Sequence, residues 1–201
     1  MHPTKLFQTQ DIAHLCDLIE AHPFALIIAS KDGRSMAAHT PILVDRKDQH
    51  RPELRFHLAN ANPITAAVRE TGKALAVVTG PHAYISPDWY GLGPDQVPTW
   101  NYLSAEAEGP IEALDIDETR LFLEDLSATF EASLAPKPPW SLDKMNQKKL
   151  EGLLNGITAF RLIPKRFEGV IKLNQNKTEA ARNRVAEALG DTPLARQMKE
   201  I

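Results

Sequence analysis

Two apolar runs, FALIIAS and SMAAHTPILVD, flank the tetrapeptide KDGR at residues 31–34. Asp-Gly between runs of this kind is a strong short-range hairpin signal, because the favoured two-residue turn needs a left-handed backbone at both central positions. The pair is therefore predicted to be antiparallel and locally joined. Much of the chain repeats this grammar. ELRFHLA alternates, with Leu54, Phe56 and Leu58 on one face and Arg55 and His57 on the other. KALAVVTG is a further strand ending at Gly80, and WNYLSAEAEGPIEAL is a long extended run. ITAFRLIP and RFEGVIKL are two more strands, split by Pro164. At least seven strands, without a βαβα alternation or Gly-rich βα turns, predict a mainly β protein with added helices (α+β). A closed or nearly closed antiparallel barrel fits better than a doubly wound sheet.

The helices are punctuated in the usual ways. TQDIAHLCDLIEAHP places Ile12, Leu15 and Ile19 at helical spacing, with Thr9 as cap and Pro23 as stop. After NANP, Pro63 suits the first turn of a short helix, PITAAVRE. DIDETRLFLEDLSATFEASL stacks Phe122, Leu126 and Phe130 four residues apart behind an acidic first turn. APKPPW is a rigid linker, and SLDKMNQKKLEGLLNG is a helix with Ser141 as cap and Gly156 beyond its end. NQNKTEAARNRVAEALG is a loop and a helix, and TPLARQMKEI a short terminal helix. For 201 residues with 43% hydrophobic content, this predicts one domain over 1–201. It carries a helical insertion at about 115–155 and a C-terminal helical segment at about 177–201.

Several chemistries are poorly served. The net charge of −3 leaves no basic footprint for nucleic acid. The basic residues near the C-terminus alternate with acids, as on a solvated helix, and no good second helix stands tightly joined to form a helix-turn-helix. There is no GxSxG, and the single cysteine, Cys16, lies on the first helix as a small core residue. No histidine belongs to an HExxH or to a ligand-spaced pair, so no metal site is expected. His39, His57 and His82 lie on or beside strands and are the histidines that could converge. There is no P-loop and no GxGxxG. HLANANP and KLNQNK are each either an ordinary capped loop or a seat for an anion. No signal peptide and no run of 18 apolar residues is visible, so a cytoplasmic protein without membrane association is expected.

One stretch stands apart. GPHAYISPDWYGLGPDQVPTWNYLS, residues 80–104, holds all three tyrosines and two of the three tryptophans of a chain that is only 6% aromatic. Its prolines divide it into HAYIS, the end of a strand, then DWYGLGPDQ, a loop, then PTWNYLS, the start of the next strand. Tyr and Trp suit contacts with planar ligands and partner subunits, and equally suit a lid packed on its own core.

HLANANP, GPHAYISPDWY, VPTWNY and EGVIKLNQNK, in this order and at these separations, resemble the PaiB family. Those proteins are FMN-binding negative transcriptional regulators with an antiparallel split β-barrel of the FMN-binding type. The resemblance runs from the first helix to about Leu189. It implies a homodimer that binds FMN at the subunit interface. AAHTP would lay His39, Thr40 and Pro41 along the flavin ring. HLANANP would bring His57, Ala59, Asn60, Asn62 and Pro63 to the ribityl-phosphate end. Trp100, Asn101 and Tyr102 would reach the flavin of the partner, and Lys172 and Gln175 would approach the site. The chain departs from the family where KLSQN reads Lys172-Leu173-Asn174-Gln175-Asn176, where Val170 replaces a basic residue, and where Phe130-Glu131 replaces a His-Glu pair.

Three functions follow. The first is an FMN-binding regulator of the family type, for which the label implies DNA as a partner although the charge does not support it. The second is an FMN-dependent reductase or oxidase. The third is a haem protein on the same barrel, needing His39, His57 or His82 as ligand.

Overall fold

The computed structural model describes residues 2–201. Among these, the chain forms eight strands and six α-helices. In order they are β1 (Gln8–Thr9), α1 (Ile12–Ala21), β2 (Phe24–Lys31), β3 (Arg34–Asp45), β4 (Glu53–Ala59), α2 (Pro63–Thr71) and β5 (Lys73–Ile85). There follow β6 (Thr99–Ala113), α3 (Ile116–Ala132), α4 (Gln147–Leu154), β7 (Ile157–Leu162), β8 (Arg166–Lys172), α5 (Glu179–Leu189) and α6 (Pro193–Lys199). The hydrogen-bonded order is β1-β8-β6-β5-β2-β3-β4-β7, and β6 also pairs with β7. Six strands thus close a ring, which removes the open edges that invite stray pairing. The fold is an antiparallel split barrel with added helices.

The chain divides into two compact units that interleave in sequence. The first comprises the N-terminal stretch to His22, Val77–Glu106 and Phe167–Ile201. The second comprises Pro23–Ala76 and Ala107–Arg166. The predicted helical insertion lies in the second unit, and the C-terminal helices lie in the first.

In the second unit, Asp32 and Gly33 both have positive φ, 50° and 74°, which gives the twisted turn that the β2–β3 hairpin requires. The hairpin register pairs Phe24 with Pro41 and Leu26 with His39. The alternation in β4 sends Leu54, Phe56 and Leu58 into the core, where Phe56 meets its cross-strand partner Phe160 at 5.7 Å between ring centroids. Each such side chain contributes about 1.5–3 kcal/mol by burial. α3 carries a capping box: Asp115 accepts from Glu118 N, and Glu118 accepts from Asp115 N. Its inward face, Phe122 and Leu126, packs with Leu114 and Ala159.

In the first unit, β1 pairs with β8, Thr9 opposite Gly169. Leu15 and Ile19 from α1, Leu103 from β6, Val170 from β8 and Val185 from α5 are buried. α6 follows α5 after three residues and buries Leu194, Ala195 and Met198. The short terminal helix expected from TPLARQMKEI is present as α6, seven residues long and docked by its buried face.

Two helix starts differ from expectation. Asp11, not Thr9, caps α1 by accepting from His14 N, while Thr9 accepts from Asp11 N one step earlier. Ser141 opens only a three-residue 3₁₀ turn; extended backbone at Met145 ends it, and Asn146 caps α4.

Candidate flavin-binding residues

On the second unit, β3 and β4 present the first group of expected residues. Side chains alternate along β3, so His39 is exposed while Thr40 is buried. The His39 ring stacks on Phe24, 5.5 Å between centroids and 19° between planes. Phe24 is itself 66% exposed, so a flat aromatic pair faces outward. Thr40 Oγ1 donates to the His57 carbonyl at 2.8 Å and ties β3 to β4. Pro41 follows, half-buried. His57 is half-buried against Phe122, 5.9 Å between centroids, with its Nδ1 buried and without a hydrogen-bond partner. Burial lowers its pKa below the ordinary histidine value.

The turn from β4 into α2 holds Ala59, Asn60, Asn62 and Pro63. Asn62 caps the helix by accepting from Ile64 N, and Pro63 occupies its first turn. Thr65 Oγ1 donates to Ala59 O at 2.7 Å. Asn60 is engaged on every side. Its Nδ2 donates to the Asn155 and Ile157 carbonyls, and its Oδ1 accepts from Thr158 Oγ1 at 2.6 Å and from Arg69. Its backbone N–H donates to Gly156 O. The Asn60 donors are therefore spent on holding the turn.

Arg69 is the cation beside this turn and is absent from the residues expected from the sequence. It also bonds Thr158 Oγ1. The signal that marks it is spacing: Thr65 and Arg69 are four residues apart, on the helix face that meets Ala59 and Asn60.

The first unit carries the second group. Trp100, 55% exposed, leads an aromatic cluster with Tyr84 at 6.1 Å, edge to face, and His82 at 6.3 Å. His82 Nδ1 donates to Gly80 O at 3.0 Å, which fixes the ring. Tyr84 is 48% exposed. The next residue along β6 points the other way. Asn101 is fully buried, its Nδ2 meeting Met198 Sδ at 3.7 Å and its Oδ1 without a partner. Tyr102 is half-buried, and burial, then the Glu106 charge, raises its pKa. Lys172 Nζ donates to Thr99 Oγ1 at 2.7 Å. Gln175 turns back on its own strand, accepting from Leu173 N and donating to Ile171 O. Between them Asn174 has φ 63°, a left-handed conformation that Asn tolerates better than Ser.

The thirteen expected residues thus fall into two groups: eight on the second unit and five on the first. Both groups include exposed rings, and stacking on a planar ligand is what exposed, geometrically fixed rings can do.

Comparison with known proteins gives the family and the fold. A family model described as "Putative FMN-binding domain" matches residues 1–166. The chain is 30% identical over 203 aligned positions to "Protease synthase and sporulation protein PAI 2" of Bacillus subtilis (strain 168), covering 100% of this chain and 96% of that one. Among solved structures, the flavocytochrome Anf3 from Azotobacter vinelandii superposes with a TM-score of 0.64 at 12% identity, over 86% of this chain and 72% of that chain. The FAD and heme binding protein from Mycobacterium smegmatis gives 0.56 at 20% identity, over 82% and 73%. These structural likenesses establish the fold. The family match over most of the chain and the full-length relative establish descent: the chain belongs to the PaiB family and carries its FMN-binding domain.

Proposed function

We propose that this protein binds FMN between two copies of the chain. The observation that carries the reading is the exposed aromatic cluster of Trp100, Tyr84 and His82, which lies in the segment that resembles the family's interface motif. Large exposed rings at fixed geometry are unusual on a solvated surface and suit a planar ligand or a partner subunit. On the barrel side, the His39 ring with Phe24, backed by Thr40 and Pro41, offers a second flat face. Arg69 supplies the positive charge for a phosphate near Ala59 and Pro63. Asn60, Asn62 and His57 hold the turn and β4 in shape. When bound, the flavin supplies one- and two-electron redox chemistry, while the side chains orient it and exclude water.

Direct base reading is less favoured. The arginines of the C-terminal helices are committed internally: Arg184 to Tyr90 O, Arg182 to Ile201 O and Arg196 to Asp191. A regulatory output, which the family label carries, would then pass through the flavin or a protein partner. Among the described residues no helix is long and apolar enough to cross a membrane.

The test is reconstitution of the purified protein with FMN, followed by absorbance and flavin fluorescence, with sedimentation to measure its mass. Trp100→Ala is expected to weaken FMN retention or dimerisation. A protein that takes up no FMN sinks the reading. A Soret band on adding haem would favour the haem alternative, with exposed His82 or His39 as ligand.

A further inference from the structure

The first unit holds a groove of about 260 Å³ that is lined by none of the residues expected around the flavin. His14, Asp17 and Ala21 of α1 line it, at the three- and four-residue spacing that puts side chains on one helix face. β5 adds Pro81, β6 adds Leu103 and α6 adds Gln197. The helix is seated closely on the sheet. A Cβ at Gly80 would stand 2.6 Å from Leu18 Cδ1, so glycine at this point of β5 leaves the room that Leu18 occupies. The lining is mostly apolar, and its fixed charge has one sign. Asp17 is the one carboxylate in it, and among the described residues no lysine or arginine lines it. Gln197 brings an amide with an acceptor oxygen.

A second observation comes from the same lining. His14 Nε2 is buried and makes no hydrogen bond, and an unmade bond at a buried polar atom is costly. In the tautomer that carries its proton on Nδ1, this nitrogen is an acceptor. Rotation of the ring on Cβ turns it toward the groove. Together these groups select among guests. An anion would face the Asp17 carboxylate with no cation in the lining to balance it. A purely apolar guest would leave the His14 nitrogen without a partner. A guest with a positively charged donor at one end and an apolar body suits both the acceptors and the walls.

We infer that this groove binds a small amine carried on an apolar body. The ammonium lies against Asp17 and donates to His14 Nε2 and Gln197 Oε1, and the body covers Pro81 and Leu103. The site is built from one unit of one chain and is separate from the flavin.

Titration of the isotope-labelled full chain with benzylammonium chloride, followed by amide NMR shifts, reads the site. Saturable shifts concentrated in α1 and α6 are expected. Benzyl alcohol, the same body without the charge, should bind about fivefold more weakly, and benzoate should not saturate. Asp17→Asn should weaken the ammonium about fivefold, and Ala21→Trp, which fills the groove, should abolish its binding. Both positions are exposed, and thermal melts establish that the variants are folded. Neither variant should change FMN uptake, and bound FMN should not weaken the probe. Saturable ammonium binding without any FMN uptake would sink the flavin reading and leave this one standing; FMN uptake without a saturable ammonium titration would do the reverse. The inference is also overturned by shifts that map outside α1 and α6, by benzoate binding as tightly as the ammonium, by titrations undiminished in both variants, or by competition between FMN and the probe.

Discussion

At Asn60 both sides of the amide are occupied, tying the end of β4 to the Asn155–Thr158 segment and to Arg69. Asn60→Ala removes these bonds together and is expected to cost about 2–3 kcal/mol in urea denaturation. A loss below about 0.5 kcal/mol would mean that the network contributes nothing net. The same residue shows where sequence reading stops. HLANANP marks a polar turn, but whether an asparagine serves a ligand or its own backbone depends on residues about 95 positions away. His57 is the other informative side chain. Its folded pKa lies below 6.5 because burial disfavours the imidazolium. The unfolded chain therefore binds the proton more readily, so the stabilisation is fully present above the unfolded pKa and is lost as pH falls through the folded value. Denaturation midpoints measured from about pH 8 to about pH 5 should decline more steeply for the native chain than for His57→Phe. Equal slopes would show that this histidine does not contribute to the acid sensitivity.

The elements were legible where local chemistry decides them. β4 begins and ends where its alternation does, and the Asp32-Gly33 turn forms as its residue types demand. Boundaries were less legible where two signals compete. KALAVVTG taken alone reads as a strand that stops at Gly80, whereas HAYIS reads as a strand's end, and β5 runs through both to Ile85. Two candidate caps five residues apart, Ser141 and Asn146, shared the start of the α4 region between a 3₁₀ turn and the helix. Close packing across strands is almost invisible in sequence. Gly109 in β6 is the clearest case. A Cβ there would stand 2.1 Å from Ile163 O, which belongs to the backbone and cannot swing aside. The flanking bonds, Ile163 N to Pro110 O and Lys165 N to Glu108 O, hold that approach. Gly109→Ala should cost on the order of 3 kcal/mol, lowering the melting temperature by about 6–12 °C. A change under about 2 °C would mean that the segment after β7 relaxes easily.

For the whole molecule, the barrel class was readable because hairpin punctuation and the lack of βαβ units leave few alternatives. The division into two interleaved units was not readable, because it rests on contacts between segments far apart in the chain. The first unit draws on three separate stretches, the last being Phe167–Ile201. A chain ending at Arg166, where the family match stops, lacks nearly all of β8 and the whole of α5 and α6. Hydrogen exchange on that chain should show lost protection in α1 and the N-terminal half of β6, with β2, β3, β4 and β7 still protected. Uniform protection would contradict the interleaved description. The same division sets an order of assembly on the ribosome. Every residue of the second unit has been made by Arg166, whereas Thr9 must wait for Gly169, 160 residues later, before β1 finds its partner. At roughly 5–20 residues per second that delay is about 8–30 s. Through that interval the nascent first unit lacks β8, α5 and α6, and this is the stage at which a chaperone would be most useful to the growing chain.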